Sequence, residues 1–494
     1  FSFMKNGSLI RLISGPVAFL FILFFVDLEP GNHYATKMAA ITAWVAIWWL
    51  TEATHLSVTA LLPFLLIPIL GVADSKMVAA QYMDQTIFLF IGGFLLAFAI
   101  ERWNLHKRIA LSILSRLGKS PATLLAGVMI TAYLISMWIS NTATTMMLIS
   151  AVIAIILEVE EQSLMPKHKD RFAKAVLIGL AYAASIGGMA TLVGTPPNMV
   201  FYKTYLDTYP DAGNMSFFQW FLVGAPVSLA LLITAFLLLK WLFLRGTAHI
   251  RFDTSYFTFS LRQLGSMSYE ERTVAYIFGI TAVLWFTRTN IDFGSFMMPG
   301  WEGIFGAHAN FITDSTVAIA MAFILFLIPS KNEKGTNLLN WTEAARLPFG
   351  IILLFGSGFA LAKGFEVSGL SNWLAGQLMF LEHANIFLVV AGICIIVCVI
   401  SEFASNIASI QLALPILIAI QKATDIPPLM LLVPATLAAS LGFMLPVATA
   451  PNTIVFGSGR IRATDMRNAG SLLDVAGIIL ITLFSLLIGN LIWQ

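Results

Sequence analysis

Apolar residues run through this chain in long blocks, separated by short polar stretches and by stretches rich in glycine and proline. A helix needs about 20 apolar residues to cross a bilayer core, and blocks of that order recur from residues 10–26 to residues 476–493. The pattern predicts helices at 10–27, 36–50, 56–72 and 86–101, a helical hairpin over 122–158, and helices at 172–201 and 217–243. The same order then returns: helices at 273–288, 311–329 and 349–365, a hairpin over 385–421, and helices at 428–456 and 471–493. The expected fold is an all-α polytopic membrane protein built from two copies of one plan.

Polar positions inside the apolar blocks support the duplication. The first hairpin is interrupted by Ser140, Asn141, Thr142, Ala143 and Thr144, the second by Ser405, Asn406, Ile407, Ala408 and Ser409. Each serine lies 47 residues beyond a Gly-Phe pair, Gly93-Phe94 or Gly358-Phe359, and each has a second serine four residues before it, Ser136 or Ser401. A second match follows the hairpins. Gly194, Thr195, Pro196, Pro197 and Asn198 parallel Ala448, Thr449, Ala450, Pro451 and Asn452 at an offset of 254, which Gly188 and Gly442 share. Proline cannot donate a backbone hydrogen bond and clashes with the preceding turn, so each segment should break its helix. Irregular backbone at membrane depth is tolerated only inside protein or along a wet cavity. A lone Ser-Asn pair is most often an ordinary interhelical hydrogen-bonding partner; two pairs in register with two Pro-Asn breaks point to a binding site.

Composition fits this class: 58% of the 494 residues are hydrophobic and 11% charged, with a mean hydropathy of +0.86, which excludes an ordinary soluble domain. With each hairpin returning to its own side, the segments expected in the cytoplasm hold 22 of the 28 Lys and Arg. This positive-inside bias places the N-terminus in the cytoplasm and the C-terminus outside. Five full spans separate the hairpins, and an odd number inverts the second copy relative to the first. Inverted repeats with interrupted helices are common in secondary transporters. Arm length alone leaves open whether the hairpins re-enter or cross.

Helix N-termini offer unpaired amides and partial positive charge to a carboxylate or sulfate, while freed carbonyls and Ser or Asn oxygens suit a small hard cation. Neither motif contains Lys or Arg, so an anion there would be neutralised by amides and co-bound cations. Coupled anion and cation binding is the expected chemistry. A net charge of +2 gives no reason to expect nucleic acid. The histidines show no metal-ligand spacing, and without a P-loop motif ATP-driven transport is not expected. Cys394 and Cys398 read as packing residues, and Trp44, Trp48, Trp49, Trp220 and Trp493 as interfacial anchors. Among charges near membrane depth, Glu101 and Glu366 read as helix-end residues, and Glu402, inside the second hairpin, is the least easily dismissed, with a functional and a structural role both open.

The run Ala439, Ser440, Leu441, Gly442, Phe443, Met444, Leu445, Pro446, Val447, Ala448, Thr449, Ala450, Pro451, Asn452, Thr453, Ile454, Val455 resembles the signature of the divalent anion:sodium symporter family. The paired Ser-Asn motifs and Thr51, Glu52, Ala53 with Val58, Thr59, Ala60, Leu61, Leu62, Pro63 point the same way, and the resemblance runs from about residue 40 to the C-terminus. It implies a homodimer of elevator-type protomers with about eleven transmembrane helices and two re-entrant hairpins. Residues 1–120 would be scaffold helices, and 121–216 transport elements with hairpin 122–158 and broken helix 172–201. Residues 217–384 would hold a connecting helix, a linker and further scaffold. Residues 385–494 would hold transport elements with hairpin 385–421, broken helix 428–456 and the last helix. The implied sodium ligands are Ser136, Ser140, Asn141 and the Gly194 backbone at one site, and Ser401, Ala404, Asn406 and the Ala448 backbone at the other. The implied substrate set is Ser140, Asn141, Thr142, Pro197, Ser405, Asn406, Ile407 and Thr449. Ile407 departs from the pattern, where threonine is frequent, so one hydroxyl donor is missing. The implied activity is sodium-coupled symport of di- or tricarboxylates in a bacterial inner membrane, with sodium, lipid and organic anion as partners, no organic cofactor and no catalytic residues. A sodium-independent exchanger and a sulfate carrier are alternatives within the family; an anion channel or membrane enzyme on this scaffold lies outside it.

Overall fold

The computed structural model describes residues 6–117, 119–162, 166–210, 215–245, 255–292, 296–424 and 426–492. Among these, regular structure is helical apart from one isolated bridge and two-residue antiparallel strands, Ile291–Asp292 with Met297–Met298. The first copy contains Asn6–Phe25, His33–Thr51, Leu56–Thr59 with Leu62–Ile69, and Ser75–Tyr82 with Gln85–Arg102. Hairpin arms Pro121–Ser136 and Asn141–Gln162 follow, then a helix broken between Pro166–Gly188 and Pro196–Thr208, then Phe217–Phe243. The second copy has Tyr269–Phe286, Asp314–Leu327 and Phe349–Val367, and hairpin arms Ile386–Phe403 and Asn406–Ala423. It closes with a helix broken between Pro428–Ala438 and Ala450–Phe456, and with Ala463–Ile492.

Eight described helices are long and apolar enough to cross a membrane by themselves. The remaining crossings are shorter or more polar pieces. Three of the eight are hairpin arms, Asn141–Glu158, Ile386–Phe403 and Asn406–Ala423. Local chemistry sets many boundaries: Ser120, Ser216 and Ser268 each cap a helix in reciprocal capping boxes with Thr123, Gln219 and Glu271, satisfying amides that a helix start leaves orphaned.

Hydropathy missed the short helices Leu105–Leu117, Ser255–Gln263 and Leu370–Gln377. They are too short to cross, and a search for long apolar blocks passes over them. Ser255–Gln263 lies in the linker expected between the copies, whose residues 246–254 fall outside the described part. The stretch expected as the longest outer loop, 289–310, contains the strand pair and most of the 3-10 run Trp301–Phe311.

Apolar side chains form two clusters. The smaller joins the first helices to Phe349–Val367 through Met38, Ile41, Trp49, Ile67, Leu361 and Phe365. The larger gathers the hairpins, broken helices and neighbouring spans. Close backbone approach needs glycine at two places: a Cβ on Gly92 would lie 2.5 Å from the Ala318 Cβ, and one on Gly187 would lie 2.4 Å from the Tyr133 carbonyl oxygen. Two aromatic expectations are corrected. Trp49 and Trp220 are buried rather than interfacial, because each faces into the bundle; Trp220 Nε1 donates to the Met189 carbonyl. Trp493 lies outside the described residues. Glu101 and Glu366 sit at helix ends in ion pairs with Arg346 and Lys363.

Candidate functional site

Each hairpin tip meets the break of its own copy, and the two junctions share one hydrogen-bond plan. In the first, Ser140 caps the return arm, its Oγ accepting from the Ala143 amide at 3.3 Å. Ser136 Oγ donates to Asn141 Oδ1 at 2.7 Å. The Asn141 carbonyl lies against Gly188, where a Cβ would be 2.4 Å from Oδ1 and 3.0 Å from the Gly194 carbonyl oxygen. Asn198 Nδ2 ties the break together, donating to the Gly188 carbonyl at 3.1 Å and the Thr191 carbonyl at 2.7 Å. Thr191 Oγ1 donates to the Met137 carbonyl, joining break to hairpin.

The second junction repeats this with looser packing. Ser405 Oγ accepts from the Ala408 amide at 3.2 Å, and Ser401 Oγ reaches Asn406 Oδ1 at 2.9 Å and the Ala439 carbonyl at 2.6 Å. A Cβ on Gly442 would lie 3.2 Å from Thr449 Cγ2, 3.5 Å from the Ala448 Cβ and 3.6 Å from Asn406 Oδ1. Asn452 Nδ2 donates to the Gly442 and Leu445 carbonyls at 2.9 and 3.0 Å. Thr449 caps the restarted helix by accepting from the Asn452 amide at 3.3 Å. Glu402 holds the break from the hairpin side, accepting from the Met444 and Leu445 amides at 2.8 and 3.0 Å.

The prolines act at the restart of each helix rather than at its end. Pro196 and Pro451 occupy the first turn, where a missing amide hydrogen costs nothing. Each tip meets its broken helix partway along its length, beside Gly188 in the first copy and Gly442 in the second. The copies interlock: Pro196–Thr208 packs against the return arm of the second hairpin, and Ala450–Phe456 against that of the first.

Both junctions concentrate oxygen. Asn198 and Asn452 are fully buried, and the Oδ1 of each has no hydrogen-bond partner. An unpaired buried acceptor is costly, and these two occupy equivalent positions beside carbonyl-rich breaks. Such a donor set fits a small monovalent cation better than an anion. Among the described residues no group of three His, Cys, Asp or Glu side chains converges on a metal site.

The structure brings Ser136, Ser140, Asn141 and Gly194 together, and separately Ser401, Ala404, Asn406, Ala448 and Thr449. Thr142 is exposed and Pro197 buried. Ile407 is half-buried and packs against both apolar clusters. A narrow cavity of about 20 Å³ touches Ser140, Trp138 and Val193 and continues to Phe94 and Glu101; it holds roughly one water molecule. A cavity of ≈ 450 Å³ elsewhere reaches neither tip and is lined by Lys203, Asp207, Phe359, Lys363 and Lys422 among others. Sequence reasoning missed Asp474, which contacts Glu402; an acidic residue in the middle of the last apolar block was the available signal.

The family model described as the sodium:sulfate symporter transmembrane region matches residues 8–494. The chain is 38% identical over 490 residues to the sodium-dependent dicarboxylate transporter SdcS of Staphylococcus saprophyticus, covering 97% of this chain and 90% of that protein. It is also 38% identical over 490 residues to the protein of the same name from Staphylococcus aureus strain MRSA252, covering 97% and 91%. The chain is therefore an integral membrane transporter rather than an enzyme, and it belongs to the sodium:sulfate symporter family, the divalent anion:sodium symporters.

Proposed function

We propose that the protein is a sodium-coupled symporter of C4-dicarboxylates in a bacterial inner membrane, with its N-terminus in the cytoplasm. The observation that carries this reading is the matched pair of oxygen-rich junctions, each with a serine-held asparagine and a buried, unpaired asparagine carbonyl. The Staphylococcus relatives, named as sodium-dependent dicarboxylate transporters, support it. One sodium ion takes oxygens from Ser136, Ser140, Asn141 and the Gly194 backbone; the other takes them from Ser401, Ala404, Asn406 and the Ala448 backbone. The dianion lies between the tips, against Ser140, Asn141, Thr142, Ser405 and Asn406, with Pro197, Ile407 and Thr449 at its margins. The bound cations supply the positive charge that the motifs lack. Residues 121–216 and 385–494 carry this site through the membrane as an elevator, against the scaffold of a homodimer.

Uptake of labelled succinate into proteoliposomes tests the reading. It is expected to rise steeply with external sodium and to fall at least tenfold in Asn141→Ala and Asn406→Ala, since losing a hydrogen bond to a charged group costs about 1.5–3 kcal/mol. Malate, fumarate, citrate and sulfate as competitors rank the substrates. Uptake that ignores sodium but is driven by internal dicarboxylate would replace symport by exchange, and ionic current without saturable flux would replace it by a channel.

A further inference from the structure

The short helices Leu105–Leu117 and Ser255–Gln263 take no part in the hairpin junctions. They pack on each other, and Leu105–Leu117 also packs on the first hairpin arm Pro121–Ser136. Between these elements and the return arm Asn141–Gln162 lies a cavity of ≈ 220 Å³. Its wall is mainly apolar, built on Leu111, Leu114, Val128, Val152, Ile155 and Phe257. The Thr131 hydroxyl, also in the wall, is spent on the Gly127 carbonyl at 2.7 Å. Water needs several polar partners to stay in such a site, and this wall offers few. A hydrocarbon chain gains by filling it.

The rim is basic. Lys107 lines the same cavity and is exposed. With Ala110, Leu111 and Leu114 it stands at i, i+3, i+4 and i+7, on one face of its helix. A lysine so placed lays its stem along the apolar wall and holds its ammonium at the opening. Neither Leu105–Leu117 nor Ser255–Gln263 contains Asp or Glu. Arg108 is committed to Glu271 at 2.9 Å. Among the described residues no ion pair engages Lys107, Arg116 or Arg262, and all three are exposed. The first acidic residue of the return arm, Glu158, lies about a turn beyond Ile155 and outside the wall. Short helices with one apolar and one basic face sit at the headgroup level of a bilayer, where unpaired cations meet lipid phosphate.

The geometry points to a site for one anionic phospholipid, with an acyl chain in this cavity and the phosphate on Lys107. A zwitterionic lipid supplies the same chain but carries its own cation in the headgroup, so the basic rim selects the anionic class. If the first hairpin travels as proposed, the seated chain ties it to Leu105–Leu117 of the scaffold and resists its movement. The site itself does not rest on the symport reading.

Photo-crosslinking of the purified full-length protein in vesicles of unlabelled phosphatidylcholine tests the site. Three probes carry the same diazirine on one chain: a phosphatidylglycerol, a phosphatidylcholine and a free fatty acid. Labelled peptides are identified by mass spectrometry. The phosphatidylglycerol probe is expected to label residues 107–114 and 147–155 about fivefold more than the phosphatidylcholine probe, the weight of one basic residue beside an anionic headgroup. Lys107→Gln, an exposed change outside both junctions, should bring the two yields together without altering the midpoint of thermal unfolding. Equal labelling by the two phospholipids in the wild-type protein, or no label in these segments, overturns the inference whatever the variant does. Labelling by the fatty acid at the level of phosphatidylglycerol overturns the phospholipid as occupant, and a preference that survives Lys107→Gln overturns the headgroup contact. Absence of succinate uptake with the preferential labelling intact would sink the symport reading alone.

Discussion

At the scale of single residues, the two junctions share a plan but not a fit. Gly188 leaves no room for a methyl, since its Cβ would lie 2.4 Å from Asn141 Oδ1, whereas Gly442 meets its nearest atom, the Thr449 methyl, at 3.2 Å. Gly188→Ala must displace the asparagine that the first sodium site is proposed to use. Overpacking of this kind costs about 1–3 kcal/mol, so the sodium concentration for half-maximal uptake should rise roughly tenfold in Gly188→Ala and by no more than about threefold in Gly442→Ala, at 1.4 kcal/mol per decade. Equal effects in the two variants would mean that the junctions bind alike despite their packing. These glycines were visible in the sequence through their common offset, but the unequal space around them was not, because it depends on side chains from a separate hairpin. Asp474 was hidden for a similar reason. Glu402 drew notice from its place beside Ser401, while its partner lies 72 positions further on and has no polar neighbour in its own motif. The tryptophans failed differently: closeness to a span end says nothing of which face a ring takes, and Trp49 and Trp220 face inward.

At the scale of elements, the breaks were legible and their mechanics were not. Proline at 196, 197 and 451 correctly marked where each helix is interrupted, yet the backbone between the halves is held by Asn198 and Asn452. Each side-chain amide spans two carbonyls freed by the break. Removing that amide leaves two buried acceptors unpaired, and an unsatisfied buried group costs about 1–3 kcal/mol. Asn198→Ala and Asn452→Ala are each expected to lower the midpoint of thermal unfolding in detergent, measured by intrinsic tryptophan fluorescence. Asp at either position should not rescue, because a carboxylate accepts and the carbonyls need a donor. A midpoint unchanged in the alanine variants would show that water or the backbone replaces the asparagine. The short helices Leu105–Leu117, Ser255–Gln263 and Leu370–Gln377 escaped the sequence reading because length and mean apolarity detect crossings, not helices that lie beside them.

At the scale of the molecule, the repeated order of elements could be read from offsets, whereas the interlocking of the copies could not, since no local pattern encodes which return arm each broken helix meets. That interlock makes the two junctions one mechanical unit: the second piece of each broken helix rests on the other copy's hairpin. An elevator motion of this unit would have to break contacts with the proposed scaffold, and one such contact is polar. Lys203, on Pro196–Thr208, lies 3.1 Å from Asp84, the residue that caps Gln85–Arg102, and also pairs with Asp207 on its own helix. Lys203 is 6% exposed, so the pair is better shielded than a surface bridge. Asp207 gives the ammonium a carboxylate that would travel with it, which lowers the cost of letting go of Asp84. Asp84→Asn keeps a side-chain oxygen for the cap but removes the charge, and it should shift the protein away from the state described here. Spin labels on Gln85–Arg102 and on Asn406–Ala423 report the separation, and the distance distribution in sodium alone is expected to gain a second population in Asp84→Asn. Lys203→Gln should have the same effect, because it removes the other half of the pair. If both variants leave the distribution unchanged while uptake is normal, the pair is a static contact, and Lys203 and Asp84 move together or not at all.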